Sequence, residues 1–248
     1  MRLTNRVVLI TGGGRGIGAA AAQAVVAEGG AVVIGDMLES EGEATAAALQ
    51  AAGGRARFVR TDITREEDCA RLAEAAVKQF GHLDVLICCA GILQGAMLQA
   101  EALEPATFER VFGVNVKGTF LTVRAALPYL RKAEKAAVIL LASEAGVKIP
   151  SSSLAYGASK GGVHGLAMTL EAQLAPHGIR VNDVCPSSIA TPMRIDNLVD
   201  RAKATGQDPE EARARAIREA GDPMGVARIL AFLASPEADY LRGTIFTR

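Results

Sequence analysis

At 248 residues, half of them hydrophobic, the chain is long enough for one large domain whose core needs neither disulfides nor metals. Its 27 basic and 27 acidic residues cancel, which leaves no surplus of Lys and Arg to neutralise a nucleic-acid backbone. No apolar run near the start has the length of a signal peptide, and none elsewhere approaches about 20 residues, so a cytoplasmic protein without a membrane span is expected.

In chain order, short apolar runs alternate with helix-length amphipathic ones. Arg6–Thr11 predicts a strand and Gly16–Glu28 a helix. Ala31–Asp36 with Ser40–Ala52, and Ala56–Arg60 with Arg65–Phe80, repeat that pair twice. Leu83–Cys89 is a fourth strand, in which adjacent Cys88 and Cys89 read as small buried hydrophobes. Cys69 and Cys185 complete the cysteines. With three histidines and no metal-ligand spacing, a metal site is not expected.

Pro105–Arg131 reads as one long helix, with Pro105 suited to its first turn. Ala136–Ala142 is a strand, Leu154–Pro176 a helix stopped at Gly178, and Ile179–Val184 a further strand. The irregular stretch Pro186–Gly221 is too long for a simple connection and is expected to form a substrate lid over 187–221. Its mixed charges, Arg194, Asp196, Asp200, Arg201 and Lys203, read as a solvated helix face. A helix over Pro223–Leu233 and a strand near Gly243–Phe246 close the chain. Near-continuous Val, Ile and Leu in several of the strands fits parallel strands covered on both faces. The alternation, uninterrupted by linkers or repeats, predicts an α/β fold over 1–248: a doubly wound parallel sheet of about seven strands with helices on both sides.

The first strand runs into Thr11-Gly12-Gly13-Gly14-Arg15-Gly16-Ile17-Gly18 and then an alanine-rich helix. Glycine allows a sharp turn and close approach of a phosphate, while the helix N-terminus offers unpaired N–H groups and a positive dipole end. No Gly-x-x-x-x-Gly-Lys-Ser/Thr is present, which argues against a phosphoryl-transfer enzyme. Strand, glycine turn and helix in that order predict Rossmann-type dinucleotide binding through Gly12, Arg15, Gly16, Ile17 and Gly18. Asp36, at the end of the second strand, is placed to accept both adenosine ribose hydroxyls and to repel a 2′-phosphate; its alternative role is a helix N-cap. Arg15 pulls toward NADP. With no base at Met37 or Leu38, NAD is expected over NADP.

Ser143 follows the fifth strand, and Tyr156 and Lys160 stand four residues apart on one helix face. A tyrosine with an ordinary pKa of about 10 is a poor base at neutral pH, and a nearby ammonium favours its phenolate. Ser143, at the carboxyl edge of the sheet, is placed to hold a substrate oxygen beside the Tyr156 hydroxyl.

These motifs resemble the short-chain dehydrogenase/reductase family in its single-domain branch. The likeness covers essentially the whole chain: Thr11-Gly12-x3-Gly16-Ile17-Gly18, Asp62-Ile63, Ala90-Gly91, Asn115, Ser143 thirteen residues before Tyr156, Tyr156-x3-Lys160, and Pro186 with Thr191. It implies that Tyr156 is the acid/base and that Ser143 orients the substrate. Lys160 would bind the nicotinamide ribose and depress the Tyr156 pKa. Asn115 would hold a water linking Lys160 to solvent. Asp62 and Ile63 would meet the adenine, and Ala90 and Gly91 the adenosine and ribose side. Ile189 and Thr191 would meet the carboxamide, with Cys89 and Pro186 in the same cofactor-binding set.

The implied activity is hydride transfer between NAD and a small-molecule alcohol or carbonyl. A homodimer or homotetramer would form through the helices Pro105–Arg131 and Leu154–Pro176. The alternative is a catalytically idle NAD-binding sensor or scaffold, which would be expected to lose Tyr156 or Lys160.

Three departures stand out. Cys88 and Cys89 replace two asparagines that usually brace the fourth strand. Ser187 replaces a glycine after Pro186, and the chain stops at Thr247-Arg248 where relatives usually continue. The substrate walls are expected among Leu93, Met97, Ala145, Val147, Ile149, Met193 and Leu198.

Overall fold

The computed structural model describes residues 1–248. Seven strands form one fully parallel sheet: β1 Val7–Thr11, β2 Ala31–Asp36, β3 Arg55–Arg60, β4 Val85–Cys88, β5 Ala137–Leu141, β6 Arg180–Pro186 and β7 Gly243–Thr247. Their order is β3-β2-β1-β4-β5-β6-β7. The direction of winding reverses between β1 and β4, the place where such sheets open a crevice at their carboxyl ends.

The helices are α1 Gly16–Ala27, α2 Glu39–Ala51, α3 Glu66–Phe80, α4 Pro105–Phe112, α5 Thr119–Leu130, α6 Leu154–Leu174, α7 Pro192–Ala204, α8 Pro209–Glu219 and α9 Pro223–Ala234. Strand side chains alternate between two cores, as the pleat requires. Val8 and Ile10 point to the layer of α1, α2 and α9, while Val7 and Leu9 point to the layer of α3, α5 and α6. The doubly wound α/β sheet expected from the alternation is thus present, with strand limits within about two residues of those predicted.

Two predicted elements differ. The long helix over Pro105–Arg131 is interrupted: α4 passes into a π-helical segment, Gly113–Gly118, before α5 begins. A π turn adds a residue to the helical circuit and redirects the side chains inside it. The stretch read as irregular also contains two helices, α7 and α8. Thr191 and Asp208 cap them, with Pro192 and Pro209 following at their first positions.

Candidate active site

The carboxyl ends of β1, β2, β4, β5 and β6 open on one cleft of about 580 Å³, within the range of small-molecule sites. Its floor is the glycine turn. Gly12 has φ +69°, and a Cβ there would lie 2.6 Å from the Ala90 Cα. A Cβ on Gly18 would collide with the Gly12 carbonyl. No side chain caps the α1 N-terminus, so its first N–H groups face the cleft beside Gly12, Arg15, Gly16, Ile17 and Gly18. Such a cradle, closed to side chains and rich in unpaired N–H groups, fits a dinucleotide diphosphate.

Asp36 lines the cleft at the end of β2. Its Oδ2 accepts from the Gly14 N–H at 2.9 Å, and its Oδ1 accepts from the Leu38 N–H at 3.0 Å. It does not cap α2, whose N-cap is Leu38. Arg15 is exposed on the rim of the same cleft. Ile63, Cys89, Ala90, Gly91, Pro186, Ile189 and Thr191 all line it as well. Asp62 does not. Its Oδ1 accepts from the Thr64 N–H at 2.9 Å and from the Thr64 hydroxyl at 2.7 Å, which turns the carboxylate into its own loop.

Ser143, Tyr156 and Lys160 converge on the other half of the cleft. The Ser143 Oγ accepts from the Ala145 N–H at 3.2 Å, which fixes its position just beyond β5. Ser153 caps α6 by accepting from the Tyr156 N–H at 3.1 Å, and donates its own proton to the Gln94 carbonyl at 2.6 Å. The start of α6 is thereby tied to the loop after β4. Lys160 is buried, and its Nζ donates to the Leu141 carbonyl at 2.6 Å.

Burial lowers the Lys160 ammonium from its ordinary value to about 8. Burial also raises the Tyr156 phenol, with the nearby Ser143 hydroxyl opposing that rise. Desolvation thus sets the direction, opposite to the depression expected from Lys160, and the phenol is the neutral, proton-bearing form at neutral pH.

Asn115 sits in the π segment, buried and outside the cleft lining. Its Oδ1 accepts from the Ile92 N–H at 2.8 Å. Its Nδ2 donates to the Ile92 carbonyl at 3.0 Å and to the Ser159 Oγ at 2.9 Å. Asn115 therefore braces the loop after β4, the segment deprived of its usual asparagines by Cys88 and Cys89.

Cys88 is buried in the core, while Cys89 is half-buried on the cleft wall, where desolvation pushes its thiol up to about 12. Ser187 is not among the residues with positive φ, so its Cβ carries no backbone strain. Its hydroxyl, ahead of the Lys148 ammonium, holds the Glu144 carboxyl below its usual range.

Of the expected substrate walls, Leu93, Ala145, Ile149 and Met193 line the cleft, and Met97, Val147 and Leu198 do not. Val147 packs instead against the α3, α5 and α6 core. Sequence reasoning missed Ser151, Ser152, Arg194 and Asn197 as lining residues. For the last two, the Thr191-Pro192 helix start was the available signal, because it turns the first turns of α7 toward the cleft.

The family model described as short chain dehydrogenase matches residues 6–202. The short-chain reductase protein NovJ of Streptomyces niveus is 36% identical over 239 residues, covering 96% of this chain and 90% of that protein. A 3-alpha-(or 20-beta)-hydroxysteroid dehydrogenase of Mycobacterium tuberculosis is 36% identical over 245 residues, covering 99% of this chain and 88% of that one. A cyclopentanol dehydrogenase of Comamonas sp. is 34% identical over 98% of this chain and 95% of its own. The crystal structure of levodione reductase superposes with a TM-score of 0.90 at 30% identity, covering 99% of this chain and 96% of that one. With that fold, those relatives and a family model spanning most of its length, the chain belongs to the short-chain dehydrogenase/reductase family.

Proposed function

We propose that this protein interconverts a secondary alcohol and its ketone with NAD as hydride carrier and Tyr156 as acid/base. Membership of the family makes it an oxidoreductase acting on CH–OH groups with a nicotinamide cofactor. The observation that carries the finer reading is that Ser143, Tyr156 and Lys160 open on the same cleft as the glycine turn and Asp36. Bound NAD would supply the hydride acceptor, and the protein would manage the proton.

For reduction, the neutral Tyr156 hydroxyl donates a proton to the carbonyl oxygen held by Ser143. That donation leaves a phenolate, which Lys160 favours; for oxidation the phenol first gives up its own proton, and the phenolate then takes the proton of the alcohol held by Ser143. Lys160 would also hold the nicotinamide ribose, with Ile189 and Thr191 at the carboxamide and Ile63, Ala90 and Gly91 toward the adenosine. Asn115 keeps Lys160 and the Gly91 loop in register, which supports a positioning role. Residues 187–221 would serve as a lid, and the protein would act in the cytoplasm as a homodimer or homotetramer.

The choice of NAD rests on Asp36. Its carboxylate cannot turn from a 2′-phosphate without giving up the Gly14 and Leu38 N–H groups. At an effective dielectric of about 20, like charges 4 Å apart repel by about 4 kcal/mol, less with solvent screening and with Arg15 nearby. A tenfold to thousandfold preference for NAD is expected, or roughly 1.4 to 4 kcal/mol.

The test is turnover of a panel of secondary alcohols and ketones with NAD and NADP, followed by nicotinamide fluorescence, in wild type and Asp36→Ala. Oxidation with NAD preferred, and a preference that collapses in the variant, would support the reading. Binding without turnover across the panel would favour the idle sensor. A wild-type preference for NADP would transfer control of the choice to Arg15.

A further inference from the structure

Arg194 was expected on a solvated helix face, and the structure turns it inward. It lies in the first turn of α7, lines the cleft, and is half-buried. Its guanidinium forms no ion pair, and its Nε is buried without a hydrogen-bond partner. A guanidinium stays charged at any physiological pH, and this one lines the cleft with no carboxylate to pair it, so its charge is left for an anion that occupies the cleft.

The other charged groups of the lining are Arg15, Lys160 and Asp36. Lys160 is committed to the Leu141 carbonyl, and Asp36 accepts two backbone N–H groups. The first turns of α7 and α1 meet at the cleft. A Cβ built on Gly16, the first residue of α1, would lie 3.5 Å from the Thr191 Cβ and 3.8 Å from the Pro192 Cδ. Two helix N-termini and one unpaired guanidinium therefore border the same gap, and both dipoles favour negative charge there.

We infer that Arg194 binds the diphosphate of the dinucleotide from the lid side, opposite the glycine turn. This assignment rests on the dinucleotide reading of the cleft and adds a charged ligand that the glycine turn alone does not supply. The same chemistry could be met by a carboxylate on the substrate. The position of Thr191 and Pro192 against Gly16, at the floor of the nucleotide half, favours the diphosphate.

The test is binding without turnover. Calorimetry would compare NADH, ADP-ribose and adenosine in wild type, Arg194→Gln and Arg194→Lys, with thermal unfolding as a check on folding. Losing a charge-assisted hydrogen bond should weaken NADH and ADP-ribose alike by roughly tenfold to a hundredfold in Arg194→Gln. Adenosine should bind unchanged, and Arg194→Lys should recover part of the loss. The affinity of the wild type should also fall more steeply with salt than that of Arg194→Gln.

Unchanged NADH and ADP-ribose affinity in a folded Arg194→Gln would overturn the assignment. If KM then rose only for alcohols carrying a carboxylate, the anion would be the substrate's. Equal weakening of adenosine, with a lowered Tm, would make Arg194 a structural residue and also overturn it. A wild type that bound neither NADH nor ADP-ribose would overturn the dinucleotide reading itself, and this assignment with it.

Discussion

Lys160 shows what the site costs the fold. Its ammonium is buried, and burial brings its pKa to about 8 against an ordinary value of 10.5. Between those values the unfolded chain binds more protons than the folded one, so the Lys160 contribution makes stability rise with pH across that window. Below pH 8 the burial penalty is fully present, and above 10.5 it is gone. Replacing Lys160 with Met should therefore stabilise the free protein at pH 7 by about 1–2 kcal/mol, net of the lost Leu141 hydrogen bond, or about 2–8 °C in Tm for a chain of this size. The advantage should shrink between pH 8 and 10.5 while oxidoreductase activity is lost. Thermal unfolding across that range checks it, and a Tm below wild type at pH 7 would refute it. At this scale the residue types and spacing were enough to expect Gly12, Asp36, Ser143, Tyr156 and Lys160 together, and all five line one cleft. The turn of the Asp62 carboxylate toward Thr64 was not legible, since nothing in an Asp-Ile pair says which neighbour will claim the oxygen.

Among the elements, the π segment is the least predictable from sequence and the most consequential. The apolar spacing on either side of Gly113–Gly118 continues as helix, so periodicity reads straight through it. The two glycines that bracket it were the only mark. At Gly118 a Cβ would sit 2.7 Å from the Ile63 side chain, so the segment packs closely on the loop after β3. The same segment carries Asn115 into its three hydrogen bonds with Ile92 and Ser159. Asn115→Ala leaves the Ile92 N–H and C=O without their partner in a largely buried site. At about 1–3 kcal/mol per unsatisfied group, partly relieved by water, the loss should be roughly 2–4 kcal/mol. Urea unfolding measures it, and a loss under about 0.5 kcal/mol would mean that Asn115 braces nothing. The helices α7 and α8 teach the opposite lesson. Thr191-Pro192 and Asp208-Pro209 are ordinary helix starts, and the same signal at Asp222-Pro223 precedes a helix that periodicity found. Without a long apolar stripe to follow them, the first two were read as irregular chain.

For the molecule as a whole, alternation of strands and helices was enough to predict a parallel doubly wound sheet, because crossovers of that length admit little else. The full strand order was not read from it, although the two edges were marked: β3, with Arg55, Arg57 and Arg60, and β7, with Gly243 and two threonines, are less apolar and more exposed than the strands between them. Assembly is the remaining question at this scale. Phe120 on α5 and Leu154 and Met168 on α6 are large apolar residues left exposed in the single chain, at 44%, 48% and 62%. These two helices were expected to meet a two-fold mate, and we expect a dimer or tetramer closed on them. Light scattering at micromolar concentration should give a multiple of 25.8 kDa. Phe120→Glu or Met168→Glu should shift it toward the single-chain mass. A wild-type monomer would contradict the expectation.

In the proposed reaction one tyrosine handles the proton, and the rest of the cleft would hold the nicotinamide cofactor. Tyr156→Phe tests it most directly, because the ring keeps its packing and only the hydroxyl leaves. NADH affinity and turnover should be measured together in the variant and wild type, on any alcohol or ketone that the wild type converts. NADH should bind within about twofold of wild type, and turnover should fall by at least the 10²–10⁴-fold typical of a lost general acid/base. Turnover close to wild type in Tyr156→Phe, with NADH still bound, would contradict the role given to Tyr156.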